Sequence, residues 1–177
     1  MSARRLWSVV LLGAAGAVML GCGDRSPLDV ASRPPRPQTD LIGGVFGPGG
    51  GLLTCQPLPY ASTTQTVGPV GGMMRIGPHW LVIPAGALPS PTVITAVVVS
   101  GPTNAVHFEP EGLQFQQSAY LVMSYANCNL LGSLAPKRIA YTTDALDILE
   151  YLRSADNLFA RQVTGELRHF SEYAIAW

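Results

Sequence analysis

Thr92–Ser100 reads TVITAVVVS, and this stretch decides the fold class. Most of its residues are β-branched or apolar, and apolar side chains occupy both alternating faces of the segment. β-branched residues favour strands because their side chains pack well on a pleated surface. A strand that is apolar on both faces is typical of the interior of a sheet. We therefore predict that Thr92–Ser100 is a central strand of a β-sandwich.

Runs of similar character on both sides of this stretch predict further strands. The clearest are His79–Ile83, Ala119–Tyr125, Lys137–Thr142 and Leu167–Trp177. Weaker candidates are Met73–Ile76, Ala105–Phe108, Ile148–Leu152 and Leu158–Val163. One or two helical turns over 146–152 are the alternative to the strand Ile148–Leu152. Turn-forming residues are concentrated at 84–91, at 109–112 and in Ser154–Asn157. About eight or nine short strands at this spacing predict an all-β fold, a two-sheet antiparallel β-sandwich.

Composition supports the same fold class and excludes one class of partner. The chain has 177 residues, enough for one ordinary domain, and 47% of them are hydrophobic. Its 19 glycines and 15 prolines favour short strands joined by turns over a helical bundle. Lys+Arg and Asp+Glu number 11 each, so the chain lacks the excess positive charge that nucleic-acid binding requires. We therefore expect no nucleic-acid partner.

The first residues are typical of a secretory signal. Arg4 and Arg5 precede a largely apolar stretch, Leu6–Leu20, which is shorter than the roughly 20 residues of a membrane-spanning helix. A glycine and Cys22 follow directly, and this arrangement resembles the lipobox of bacterial lipoproteins. The resemblance implies that residues 1–21 are removed and that Cys22 is acylated, and two or three acyl chains attach a protein stably to a membrane. An ordinary cleaved signal followed by an incidental cysteine is the alternative.

These features divide the chain into three predicted regions. Residues 1–21 are the signal peptide, residues 22–54 are a lipid anchor and a disordered Pro/Gly-rich tether, and residues 55–177 are the β-sandwich domain. The expected location is the bacterial cell envelope. Gly23 favours the outer membrane, because it is not the aspartate that retains many lipoproteins at the inner membrane of enteric bacteria. The expected partners are the membrane, through Cys22, and an envelope protein.

Two cysteines, Cys55 and Cys128, remain once the anchor cysteine is set aside. An even number of cysteines in an oxidising compartment predicts one disulfide, and two free thiols are the alternative. We do not expect a zinc site, because His79, His107 and His169 do not cluster with the cysteines in the sequence. We expect neither a metal nor a cofactor.

A set of short motifs is distributed over residues 67–177. Its members are Gly71-Gly72, LVIPAGAL at 81–88, TVIT at 92–95, FEPEGLQF at 108–115, the predicted strand at 121–125 and HFSEYA at 169–174. Together they resemble the ZU-five domain of zonula-occludens, netrin-receptor and ankyrin proteins, which also occurs in bacterial envelope proteins. The resemblance implies a β-sandwich that serves in interaction or as a spacer and does not act on a small molecule. Fold by itself does not determine function.

The motifs of common enzyme classes are missing from the sequence. There is no G-x-S-x-G motif, and the glycines at 47–51 lack the lysine of a phosphate-binding loop. Glu109 and Glu111 flank a proline in a predicted turn, which is typical of a solvated corner. Trp80 and Trp177 are interpreted as core or sheet-edge aromatics. We therefore expect no small-molecule substrate, with an unrecognised enzyme as a remaining alternative.

The tripeptide His169-Phe170-Ser171 supports an alternative function. Some ZU-five proteins cleave themselves between Phe and Ser in this tripeptide, so the resemblance implies a candidate autoproteolytic site. In that mechanism the Ser171 hydroxyl attacks the Phe170 carbonyl in an N-to-O acyl shift, His169 serves as base or proton shuttle, and water hydrolyses the ester. A relaxed peptide bond does not rearrange at a useful rate. Our expectation is an intact chain in which the tripeptide has regular strand geometry.

Overall fold

A computed structural model describes residues 50–131 and 135–177. Eleven strands and no helix occur in this part of the chain. The strands are β1 (Ser62–Val67), β2 (Gly72–Ile76), β3 (His79–Ile83), β4 (Thr92–Val99), β5 (Ala105–Glu109), β6 (Gln114–Ser124), β7 (Arg138–Thr142), β8 (Ile148–Tyr151), β9 (Ser154–Asn157), β10 (Gln162–His169) and β11 (Glu172–Ala176). The helical alternative for 146–152 is therefore wrong.

The strands form two antiparallel sheets, which confirms the predicted sandwich. The front sheet has the order β1-β4-β5-β11-β7-β8, and the back sheet has the order β2-β3-β6-β10-β9. A single cluster of buried apolar side chains, contributed by both sheets, forms the core. Front-sheet and back-sheet residues alternate between this core and an outer face, as the period of two in a strand requires.

β4 and β6 are interior strands, as predicted from Thr92–Ser100 and Ala119–Tyr125. β4 lies between β1 and β5, and β6 lies between β3 and β10. Ile94 on β4 and Leu121 on β6 are both 0% exposed and belong to the core. The apolar character of these two segments therefore corresponds to their central positions.

β1 is a strand that the sequence pattern did not indicate. Ser62–Val67 reads STTQTV, and only Val67 is buried. All six residues pair with β4 in antiparallel register, from Ser62 opposite Val97 to Val67 opposite Thr92. The strand is polar because it is the edge of the front sheet, where most side chains face solvent.

The predicted turn at Ser154–Asn157 is wrong, because these residues form β9 and pair with Gln162–Gly165 of β10. The turn lies four residues later, at 158–161, where the Ala160 N–H donates to Asn157 Oδ1 at 3.0 Å. The predicted strand Leu158–Val163 begins with two large apolar residues. Both of them, Leu158 and Phe159, are exposed, and β10 begins only at Gln162.

The predicted strand Leu167–Trp177 is two strands in different sheets. β10 ends at His169 in the back sheet, and β11 begins at Glu172 in the front sheet. A β-bulge between Leu167 and His169 shifts the register just before the break. The chain crosses from one sheet to the other at Phe170, whose ring is 0% exposed in the core between them. Burial of this ring explains why an apolar segment changes sheet here.

The described part of the chain begins before Cys55 and is already attached to the domain there. Leu52 forms a β-bridge with Ala176, and the Leu53 N–H donates to the Ile175 carbonyl at 2.8 Å. Leu53 is 2% exposed and belongs to the core. Residues 50–54, which the sequence assigns to the tether, thus pack on the end of β11. The predicted signal peptide, Cys22 and the tether up to residue 49 lie outside the described residues.

Candidate functional site

Cys55 and Cys128 form a disulfide, which confirms the predicted pairing. They lie opposite each other in an antiparallel β-bridge, flanked by hydrogen bonds from Gln56 N–H to Asn127 O and from Asn129 N–H to Thr54 O, both 2.9 Å. The two cysteines are a directly opposed, non-hydrogen-bonded pair, the closer of the two antiparallel pair types, and their Cα atoms are 3.7 Å apart. This separation is below the expected window of about 4.4–6.8 Å for disulfides. The bridge fastens the segment before β1 to the end of β6.

We expect that reduction, or a Cys55→Ala/Cys128→Ala double variant, lowers the free energy of unfolding by about 4 kcal/mol. The two cysteines are 73 residues apart, so the loop that the bridge closes is long. Hydrogen exchange should rise first around Cys55, because the bridge fastens this segment, which precedes β1, to the end of β6. Denaturant unfolding with and without reductant measures the change in free energy. Labelling of both thiols in the native, unreduced protein would contradict the pairing.

His169-Phe170-Ser171 occupies the crossing between the sheets, so the expectation of regular strand geometry is wrong. Phe170 stacks on Phe108 with ring centroids 4.9 Å apart and meets Phe115 edge-on at 5.0 Å. Its N–H donates to Leu113 O, and its carbonyl accepts from the N–H of Gly112, both at 2.9 Å. The position of the Phe170–Ser171 peptide is therefore held by the β5–β6 turn and by aromatic packing.

His169 contacts the Phe170 carbonyl and not the Ser171 hydroxyl. Its Nδ1 lies 3.4 Å from Phe170 O and 3.4 Å from the Tyr173 hydroxyl, which donates to His169 O at 2.6 Å. Ser171 is 5% exposed, and within the described residues its hydroxyl has no hydrogen bond to His169. The arrangement places two possible donors, Gly112 N–H and His169, at the oxygen on which charge would develop during attack by Ser171. The contact that would activate the nucleophile is not formed.

His169 also borders a small cleft on the surface. The cleft has a volume of about 230 Å³ and is lined mainly by charged side chains of β8–β10, among them Glu150, Arg153 and Glu166. Small-molecule sites have volumes of about 300–1,000 Å³ and are mostly apolar. This cleft is smaller and more polar than such a site, although it gives water access to His169.

A row of apolar side chains crosses the outer face of the back sheet. Met73 pairs with Val82, and Val82 pairs with Tyr120, so the three side chains lie side by side across β2, β3 and β6. Trp80 and Val122 form the next pair on the same face. Met73 is 59% exposed and Tyr120 is 40% exposed, and the other three are half-buried. We call these five residues the back-face patch.

His107, Asp144 and Glu172 meet on the outer face of the front sheet, although they are far apart in the sequence. One potential ligand atom of each residue lies within 4.8 Å of those of the other two. β11 brings Glu172 beside β5, where it pairs with His107, and Asp144 follows the end of β7. Sequence reasoning missed this group, because no spacing motif connects its members. Only the strand order β5-β11-β7 brings them together.

Glu172 is the buried member of this group. It is 5% exposed, and its Oε1 has no hydrogen-bond partner. Its Oε2 lies 3.8 Å from His107 Nδ1, beyond hydrogen-bond distance. Burial raises the pKa of the Glu172 carboxyl, Asp144 raises it further, and His107 acts in the opposite direction. Three titratable side chains thus meet at a place where one carboxylate is largely shielded from water.

His79 has a structural role. Its side chain is 0% exposed, and its Nδ1 accepts a hydrogen bond from the Ser124 N–H at 3.0 Å. Burial lowers the pKa of His79 to about 4, so the ring is neutral at neutral pH and accepts this bond. The unfolded chain binds a proton at this histidine more readily than the folded chain does. The contribution of His79 to stability therefore decreases as the pH falls from about 6.5 towards 4.

Comparison with known proteins identifies no relative: no protein-family model and no curated protein matches this chain. In the part of the chain that the structure describes, there is no helix with the length and apolar character needed to cross a bilayer.

Proposed function

We propose that this protein is a lipid-anchored β-sandwich module of the bacterial cell envelope that acts by binding another envelope protein. In this proposal Cys22 carries the lipid and the sandwich is a ZU-five-like domain that binds the partner. The observation that carries the proposal is the back-face patch. Adjacent apolar side chains on one outer face, with Met73 and Tyr120 exposed, form a contiguous patch of the kind that marks interaction sites.

The chemistry of the patch favours a protein surface as the ligand. Its residues stand on neighbouring strands of one sheet, so they form one continuous surface. It combines a tyrosine, a tryptophan and a methionine, which are enriched at protein–protein interfaces. Arg75 lies over the Trp80 ring, 5.5 Å from its centroid, and adds a positive charge at the rim. A partner with an apolar centre and an acidic edge would complement this face.

Photo-crosslinking in intact cells tests the proposal. A photoreactive residue at Met73 or Tyr120 should yield one discrete crosslinked product. The same photoreactive residue at Val93 should give no such product. Val93 lies on the outer face of the front sheet and is 60% exposed, close to the 59% of Met73. Cys22→Ala should release the protein from the membrane fraction and abolish the product. Equal crosslinking from Val93, or unchanged membrane association of Cys22→Ala with no lipid on the wild type, would refute the proposal.

A second candidate function, self-cleavage between Phe170 and Ser171, is favoured by one observation. The peptide lies between the end of β10 at His169 and the start of β11 at Glu172, and its carbonyl accepts the Gly112 N–H. Attack of Ser171 Oγ on the Phe170 carbonyl would form an ester as the peptide C–N bond breaks. His169 would take the hydroxyl proton and return it to the leaving nitrogen, and water would then cleave the ester. His169 must first turn towards Ser171.

Intact mass under denaturing conditions tests self-cleavage. If the reaction occurs, wild-type protein separates into two species, and the smaller one is Ser171–Trp177. Ser171→Ala should remain a single chain with an unchanged fold. Ser100→Ala, which alters an exposed serine remote in sequence from this peptide, should be processed like the wild type. A single full-length mass for the wild type would exclude self-cleavage.

A further inference from the structure

The outer face of the front sheet contains a group of side chains with unsatisfied polar atoms. His107 on β5 and Thr142 on β7 are both register partners of Glu172 on β11, so the three side chains lie in one row on the same face. Asp144, two residues after Thr142, lies with His107 and Glu172. The row therefore has an imidazole, two carboxylates and a hydroxyl.

Two buried oxygen atoms in this row have no hydrogen-bond partner. They are Glu172 Oε1 and Thr142 Oγ1, and their residues are 5% and 1% exposed. A buried polar atom without a partner costs roughly 1–3 kcal/mol, and a charged one costs more. Glu172 also has a second carboxylate, that of Asp144, close by. A cation at this place would satisfy Glu172 and remove the repulsion between the two acids.

We propose that His107, Asp144 and Glu172 form a binding site for a divalent transition-metal ion of the zinc class. One imidazole nitrogen and two carboxylate oxygens are a ligand set for such ions, whereas calcium and magnesium prefer oxygen ligands alone. Three protein ligands leave one position for water in a tetrahedral site. Thr142 supplies a hydroxyl beside Glu172 that can orient its carboxylate, as outer-shell groups do in zinc sites.

The geometry permits the contraction that a metal requires. Ligand atoms about 2.0–2.2 Å from a tetrahedral ion are roughly 3.4 Å apart, and here they lie within 4.8 Å of one another. Asp144 is exposed and His107 is half-buried, so both side chains can rotate towards the fixed Glu172. His107 also lines an open depression with Glu109 and Glu111, whose carboxylates attract cations to the site.

Bound metal would connect three neighbouring parts of the front sheet, namely β5, β11 and the segment after β7. Each ligand comes from a different one of these parts. Because the ion binds only the folded arrangement, it stabilises the fold in proportion to its concentration. The two remaining cysteines of the domain are joined in the disulfide and offer no thiolate. We therefore expect no sulfur ligand at the site.

Zinc titration of the full-length, chelator-treated protein, purified in detergent without a histidine tag, tests the site. We expect one bound Zn²⁺ per chain and a melting temperature that rises with zinc. X-ray absorption should show a first shell of nitrogen and oxygen at about 2.0–2.2 Å without sulfur. No bound zinc at equimolar loading, or a sulfur-containing shell, would overturn the proposal.

Matched variants separate the site from non-specific binding. His107→Gln, Asp144→Asn and Glu172→Gln should each weaken zinc binding at least tenfold. His169→Gln and Glu150→Gln, which remove an imidazole and an exposed carboxylate elsewhere, should bind as the wild type does. Metal-free Glu172→Gln should melt no lower than the metal-free wild type, because it replaces a buried carboxylate, one oxygen of which has no hydrogen-bond partner, by a neutral amide. Unchanged binding in the three site variants, or equal loss in the two controls, would refute the site.

Discussion

We expect that a chain shortened by Glu172–Trp177 does not fold. β11 lies between β5 and β7 in the front sheet, and all five of its residues are buried. Its removal leaves β5 and β7 each without one of their two partner strands and deletes Tyr173 and Ile175 from the core. Each large core side chain contributes roughly 2–5 kcal/mol, whereas a whole domain is stable by about 5–15 kcal/mol. The loss therefore exceeds what the remaining contacts can support.

Circular dichroism and limited proteolysis measure this result. The control is a chain that lacks Trp177 alone, which keeps β11 and loses one half-buried side chain. We expect the control to melt cooperatively, at a moderately lower temperature than the full chain. If the chain without residues 172–177 melted cooperatively near the wild-type temperature, the assignment of β11 as an interior strand would be wrong.

Ile94→Asp should destabilise the domain by about 4 kcal/mol or more. Ile94 is 0% exposed in the middle of β4 and belongs to the core between the sheets. The substitution removes an apolar side chain of the core and places an unpaired carboxylate there, and both changes are costly. Denaturant unfolding at constant redox state measures the effect.

The neighbouring residue provides the matched control. Val93 is on the same strand but 60% exposed on the outer face, so Val93→Asp should cost no more than about 1 kcal/mol. The two variants carry the same new side chain and differ in the face that receives it. Equal stability of Ile94→Asp and Val93→Asp would show that β4 does not present Ile94 to the core.

The sequence predicts strands well where local composition and burial agree. TVITAVVVS is mostly β-branched or apolar and lies in the interior of a sheet, so its pattern sufficed. STTQTV has no comparable pattern, because its strand exists through pairing with β4 and not through its own side chains. Leu158 and Phe159 were misleading for the opposite reason, since they are apolar and yet exposed in a turn.

The candidate sites also differ in how far the local sequence predicts them. Cys55 and Cys128 could be paired from the sequence because they are the only two cysteines besides Cys22, which the sequence predicts to be a lipid anchor. The crossing at Phe170 could not be predicted, because a continuous apolar segment does not show where its strand changes sheet. The approach of Asp144 to Glu172 depends on which strands are neighbours, a non-local property that no short motif encodes.

The disulfide determines how the domain carries mechanical load. Tension on the chain from the N-terminal side of residue 50 first meets the bridge between Leu52 and Ala176, which can peel open one hydrogen bond at a time. It then reaches Cys55 and passes through a covalent bond to Cys128, just after β6 in the centre of the back sheet. The strands β1–β6 lie within the covalent loop between the two cysteines, so the covalent path of the force bypasses them. We therefore expect a domain pulled from that end to lose the pairing of residues 52–53 with β11 before the rest of the fold opens.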